Sequence, residues 1–192
     1  SIKNSDVVVL YRTNAQSRAI EEVFLHLGVP YVLVGGTKFY ERKEIKDVLS
    51  YLRLLQNPKD SVSIKRAEKI GKGRLEKVLE LSTSLRGLAA GEDVAIFKSE
   101  GSQALLTDQD SHAPSGLGMT TLELLDLILS KTGYLAYIDD NTEVGKGRVE
   151  NVKELRSVAE EFPNLTQFLE NVALVEAADN PHKKAMDGVT LM

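Results

Sequence analysis

The chain has 192 residues with a net charge of −4, 42% of them hydrophobic and 27% charged, a balance that excludes a disordered or fibrous polypeptide. No apolar run approaches the roughly 18 residues of a membrane span, and Val7-Val8-Val9-Leu10 is too short for the core of a secretory signal. The absence of cysteine removes disulfides, thiolate zinc sites and cysteine nucleophiles, and it fits a reducing cytoplasm.

Taken in chain order, Asp6 to Tyr11 is a short β-branched apolar run, which predicts a strand buried on both faces. Thr13 or Asn14 can cap the helix that follows, with Ile20, Val23, Phe24 and Leu27 as its apolar stripe and Gly28 as its stop. Val29 to Val34 reads as a second strand, with Pro30 near its start where a missing donor does least harm. This β-α-β unit cannot close a core by itself and needs more sheet.

After Gly35-Gly36 the period becomes helical. Ile45, Val48, Leu49, Leu52 and Leu55 form a stripe that ends at Asn57-Pro58. Ser61 to Lys69 predicts a short helix, Gly71-Lys72-Gly73 a turn, and Leu75, Val78, Leu79 and Leu81 the start of another helix. Residues 87–118 are rich in Gly, Ser and Asp with little periodicity, the pattern of a loop or mobile insertion, although Val94-Ala95-Ile96-Phe97 could pack locally. Thr120 or Thr121 then caps a helix that carries Glu123 in its first turn and ends at Gly133. Helical stripes recur over Arg148–Phe162 and Leu165–Ala178, and Gly188 to Met192 reads as the start of a strand. The pattern predicts a mainly α chain, with a helical domain inserted into an α/β domain.

One internal similarity stands out. Residues 70–81 and 144–155 agree at eight of twelve positions around Gly71-Lys72-Gly73-Arg74 and Gly145-Lys146-Gly147-Arg148. They are either a duplicated phosphate-binding turn or two helix starts that use glycine alike.

Charge is unevenly spread. Lys38 to Lys77 holds twelve Lys/Arg against six Asp/Glu, so this stretch is +6 and the other 152 residues are −10. Such asymmetry suits a phosphate-facing surface; the plainer alternative is a solvated helical face.

Catalytic constellations are missing. Neither Gly71-Lys72 nor Gly145-Lys146 is followed by Ser or Thr or preceded by the required glycine, so neither is a nucleotide-binding P-loop. His26, His112 and His182 lack ligand spacing, and Asp139-Asp140 and Glu160-Glu161 form no paired-carboxylate site. Two segments could bind nucleic acid. The stretch Tyr11 to Arg18 sits at the carboxyl end of a strand and the start of a helix, where Arg12 and Asn14 can reach a strand or its bases; a polar cap with a solvated Arg18 is the alternative. The stretch Lys65 to Lys77 resembles a helix-hairpin-helix, in which glycines let backbone amides approach phosphates; a simple Gly turn on a basic helix pair is the alternative.

The blocks LYRTNAQSRAIEEVF (10–24) and VPYVLVGGTKFYERKEIKDVLSYLRLLQNP (29–58) resemble the UvrD/Rep/PcrA type of superfamily 1 DNA helicase. LLDLILSKTGYL (124–135), RVENVKEL (148–155), FLENVAL (168–174) and DGVTLM (187–192) continue the likeness in order. The resemblance implies that residues 1–37 are part of a RecA-like subdomain, 2A, that 38–186 are the helical insertion 2B, and that 187–192 return to 2A. It implies a parent enzyme that spends ATP, with Mg²⁺, to translocate 3′ to 5′ on single-stranded DNA and unwind duplex in repair or replication. The family's ATPase motifs would lie before Ser1 or after Met192, so the chain by itself is expected to bind neither cofactor and to be inactive.

By the same resemblance, Arg12, Thr13 and Asn14 lie along the single-strand track. Lys69, Gly71, Lys72, Gly73 and Arg74 correspond to the 2B surface that meets duplex at a single-strand/duplex junction. The commoner family form there is Pro-x-Arg-Gly-Ile-Gly, whereas this chain reads Ala67-Glu68-Lys69-Ile70-Gly71-Lys72-Gly73-Arg74. Tyr40, Arg42 and Lys43 are expected to fix the 2A–2B junction. Two alternatives remain at this point: a regulatory module that meets protein partners through its acidic remainder, and an independent helix-hairpin-helix DNA-binding domain.

Overall fold

The computed structural model describes residues 3–12, 14–89, 119–178 and 188–192. The expectations for Thr13, for Val94 to Phe97, for His112 and His182, and for the loop beyond residue 89 lie outside the described residues.

The chain opens with β1 (Val8–Val9), α1 (Asn14–His26) and β2 (Tyr31–Leu33), and it closes with β3 (Val189–Leu191). The strand that the β-α-β unit lacks arrives from the far end of the sequence. β3 lies between β1 and β2 and runs parallel to both, with Val8 opposite Thr190 and Val32 opposite the same residue on the other side. Thr190 N–H donates to the Val7 carbonyl at 3.0 Å and Met192 N–H to that of Val9 at 3.1 Å. On the other edge, Val34 N–H donates to the Leu191 carbonyl at 2.8 Å and Val189 N–H to that of Pro30 at 2.8 Å.

The central strand is the buried one: Val189 and Leu191 are covered, whereas Val7, Val8, Leu10, Val32 and Val34 are exposed. The expectation that Asp6–Tyr11 is buried on both faces is therefore corrected. A continuous apolar run is buried only where layers cover both faces, and β1 is an edge strand that is 53% exposed at Val8. The α1 stripe fares similarly, with Val23 and Leu27 exposed and Phe24 packed against Tyr31 at 5.9 Å between ring centroids.

Between β2 and β3 the described chain is helical: α2 (Lys43–Gln56), α3 (Ser61–Ile70), α4 (Lys72–Ala89), α5 (Thr121–Thr132), α6 (Tyr134–Ile138), α7 (Glu143–Glu160) and α8 (Leu165–Ala178). α2 is the axis of this body. Its predicted stripe is buried, but so are Tyr51 and Leu54 on the opposite side, because α3, α4, α5, α7 and α8 all pack around it. A helix surrounded on every side buries more than one stripe. Val78, Leu81 and Leu85 of α4, Leu125 and Ile128 of α5, Val152 and Leu155 of α7, and Phe168 and Val172 of α8 complete the core.

The caps act as their chemistry dictates. Thr120 and Glu123 form a reciprocal capping box, and Gly133 ends α5 in the left-handed conformation. α6 was not foreseen, since five residues are too few to display a period. The two Gly-Lys-Gly segments are not a duplicated turn. Gly71 is the single residue joining α3 to α4, at a φ of +153°, whereas Gly145 sits inside the first turn of α7 behind the Thr142 cap.

That difference is measurable. A Cβ on Gly145 would meet the Asp140 backbone nitrogen at 2.8 Å, whereas one on Gly147 meets nothing within 4 Å. Gly147→Ala is expected to stabilise the protein by about 0.5–1 kcal/mol through helix propensity, and Gly145→Ala to destabilise it. Urea denaturation of the two variants checks the opposite signs.

Candidate nucleic-acid interface

The basic corner is built by α3, the start of α4 and the start of α2. Asp60 caps α3, accepting from Val62 N–H at 3.1 Å and from the Ser63 hydroxyl. The Ser63 hydroxyl, followed by backbone amides, holds its carboxyl below the usual range. With its start fixed, α3 presents Val62, Lys65, Arg66 and Lys69 at positions i, i+3, i+4 and i+7, which is one helical face. These four side chains, together with Lys43 and Tyr137, line a groove of about 520 Å³.

Arg66 is fixed inside the groove wall. Its Nε donates to Asp47 Oδ1 at 2.7 Å and its Nη2 to the Lys43 carbonyl at 3.2 Å. Asp47 is buried and accepts from the Tyr134 hydroxyl at 2.9 Å on its other oxygen. Burial, reinforced by the charge of Asp47, drives the Tyr134 phenol well above its ordinary pKa, so it remains a donor throughout the physiological range. Tyr134 also meets Tyr51 edge-to-face at 5.8 Å and lies 6.0 Å from Tyr137. Lys43, Lys65 and Lys69 are exposed, and no carboxylate among the described residues pairs with them.

The residues singled out from the sequence fall into two groups. Lys69, Gly71, Lys72, Gly73 and Arg74 gather at the α3–α4 corner, with Lys69, Lys72 and Gly73 exposed. Arg74 is engaged elsewhere: its guanidinium carbon stands 4.0 Å from the centre of the Tyr137 ring, and Nη1 donates to the Ile70 carbonyl at 3.4 Å. It is a stacking residue that backs the groove. Arg12 and Asn14 belong to the separate β1–α1 end, where Arg12 is exposed and its backbone N–H donates to Gln16 Oε1 at 3.0 Å. Arg18 is not the solvated side chain that the polar-cap alternative required. It is buried, with Nε on Glu154 and Nη1 on Glu22, both at 2.9 Å.

Sequence reasoning counted Arg66 within the basic segment 65–77 and assigned Lys43 to the 2A–2B junction, without bringing the two together. The signal existed in the excess of positive charge over residues 38–77 and in the 62/65/66/69 spacing. What it lacked was the packing of α3 across the start of α2.

A second polar cluster joins the two ends of the fold. Arg42 is only 5% exposed, and its side chain donates to the Ser17 hydroxyl at 2.8 Å, Asn151 Oδ1 at 2.8 Å and the Thr37 carbonyl at 3.2 Å. Asn151 passes the connection to Glu44 at 2.6 Å, and Ser17 passes it to Glu21 at 2.6 Å. The Phe39 ring lies 5.3 Å from the guanidinium. Burial lowers the Arg42 pKa, opposed mainly by the charges of Glu21 and Glu44. Burial, reinforced by the charge of Glu22, pushes the Tyr40 phenol up to about 12.

All 192 residues match the profile of the family described as the UvrD-like helicase C-terminal domain. The chain belongs to that family. It is 34% identical to the ATP-dependent DNA helicase UvrD1 of Mycobacterium tuberculosis over 100% of its own length and 29% of that protein's. It is also 34% identical to the ATP-dependent DNA helicase PcrA of Staphylococcus aureus, over 99% of the chain and 29% of the relative. The chain therefore spans 29% of the length of these relatives.

The UvrD-like region spans the whole sequence. It contains no Gly-x₄-Gly-Lys-Ser/Thr loop, and among the described residues no three carboxylate or histidine side chains gather as a cation cluster. Nor is any helix among the described residues long and apolar enough to cross a membrane.

The Arg42 cluster makes a direct stability prediction. Removing one partner of a buried charged network leaves the others unsatisfied, at a cost of about 3–5 kcal/mol. Arg42→Ala is expected to lower the urea midpoint by that equivalent. Arg42→Lys should recover only part of the loss, because an ammonium cannot span Ser17, Asn151 and Thr37 as a planar fork does.

Proposed function

We propose that this chain is the DNA-contacting part of an ATP-dependent 3′–5′ DNA helicase acting in repair or replication. Residues 1–37 and 187–192 would form a piece of the RecA-like motor subdomain 2A. Residues 38–186 would form the helical arm 2B, and ATP and Mg²⁺ would be bound by other parts of the parent enzyme. The protein would work in the cytoplasm on a single-strand/duplex junction.

The observation that carries this reading is the sheet. Two segments from opposite ends of the chain pair through β3, and everything described between β2 and β3 is helical, as an insertion into an α/β domain requires. The family match and the unpaired lysines at the α3–α4 corner supply the link to DNA. Lysines that neutralise phosphates release counterions, so their contribution appears as a salt slope. Lys69 and Lys72 would meet the duplex arm, with Gly71 and Gly73 allowing close approach and Arg74 holding the corner from behind. Arg12, Thr13 and Asn14 would follow the single strand leaving it.

Two measurements test the reading. An anisotropy titration with a single-strand/duplex junction across a salt series should give a slope that falls by about 1 for each of Lys69→Glu and Lys72→Glu. An unchanged slope removes the corner from the interface. Arg74 is a poor probe, because replacing it also unseats Tyr137. The chain by itself should hydrolyse no ATP, and Mg²⁺-dependent turnover by the purified protein would contradict the proposal.

A further inference from the structure

The groove along α3 has two properties that phosphate contact by itself does not explain. Val62 is 73% exposed and Tyr137 45% exposed, and both line the same channel as Lys43, Lys65 and Lys69. Apolar and aromatic surface standing open beside unpaired cations is the composition of a single-strand platform. There, lysines follow the backbone while bases stack on aromatic rings. A duplex has its bases stacked internally and offers this surface mainly phosphate and sugar, so it would leave Tyr137 and Val62 unused.

The ring is prepared for such a role. The Arg74 guanidinium stacks 4.0 Å from its centre, and Tyr134 braces it at 6.0 Å. The groove's one acidic residue, Asp47, is occupied by Arg66 at 2.7 Å and by the Tyr134 hydroxyl at 2.9 Å, so it opposes a phosphate weakly. Glu68 does not line the groove. We infer that the α3 groove binds single-stranded DNA, with a base stacked on Tyr137 and the adjoining phosphates held by Lys43 and Lys65. This rests on the reading of the chain as a DNA-contacting region, and it adds a single-strand site beside the duplex corner.

The chain contains no tryptophan, which makes a clean optical test available. Tyr137→Trp retains an aromatic ring and introduces the sole indole. Titrating this variant with an oligothymidylate should quench its emission saturably and reversibly with added salt, whereas a duplex of equal length should bind without quenching. In the wild-type background, Tyr137→Leu should weaken oligothymidylate binding by about fivefold to a hundredfold, the range typical of lost base stacking, and Tyr137→Phe should preserve it. Lys43→Glu and Lys65→Glu should each lower the single-strand salt slope by about 0.7. Binding of the oligothymidylate by anisotropy without any change in indole emission overturns the inference, as does equal quenching by duplex. If a junction binds but the oligothymidylate does not, the single-strand site falls and the duplex corner stands. If neither binds at low salt, the DNA-contacting reading falls with it.

Discussion

The structure depends on a buried guanidinium. Arg42 stands where α1, the segment leading into α2, and α7 converge, and it is bonded to Ser17, Thr37 and Asn151. Burying a charge costs several kcal/mol unless its donors are met and opposite charge lies near. Here the donors are met, while Glu21 and Glu44 supply the charge through Ser17 and Asn151. The Arg18 ion pairs with Glu22 and Glu154 add a second tie between α1 and α7. Few apolar contacts perform this task, since Val23 and Leu27 of α1 remain exposed. Polar geometry therefore sets how the sheet piece meets the helical body. Hydrogen-bonded charge is directional in a way that hydrophobic contact is not, so it specifies one relative orientation.

A similar arrangement shapes the basic groove. Asp47, buried on the central helix, anchors Arg66 from α3 and Tyr134 from α6. That leaves the lysines on the same α3 face unpaired and the Tyr137 ring at the rim, backed by Arg74. Asp47 thus fixes Arg66 in the channel wall, while Lys65 and Lys69 of the same helix stay exposed. The fold places its free cations together by neutralising those it needs for structure.

Much of the architecture was legible from local chemistry. The capping box at Thr120–Glu123, the Gly133 stop, the Asn57-Pro58 break and the stripes of α2, α7 and α8 each carry their own signal within a few residues. The pairing of the two chain ends was legible too, because an unfinished β-α-β start and a strand-like end both needed a partner. Other features depend on residues distant in the chain. Nothing near Arg42 indicates that Asn151, 109 positions later, will receive it. Nothing near Arg74 indicates a tyrosine from α6, so a stacking residue reads as one more surface charge. The burial of β1 was misjudged for the same reason: a run of valines specifies a strand but not the layers that cover it. The Gly-Lys-Gly repeat looks like duplication only until each copy is placed against its own helix start.

The Arg42 cluster holds the sheet formed by the two chain ends onto the helical body. Strands of two and three residues, with one flanking helix among the described residues, are too small to persist without that attachment. Residue-resolved amide hydrogen exchange, on the native protein and on Arg42→Ala under conditions where both remain folded, tests this directly. Thr190, Met192 and Val34, whose amides bridge the strands, should be protected in the native protein. In the variant they should lose that protection, while Leu49 and Leu52 in the central helix keep theirs. Strand amides that stay equally protected without Arg42, or that exchange freely in the native protein, would contradict that role.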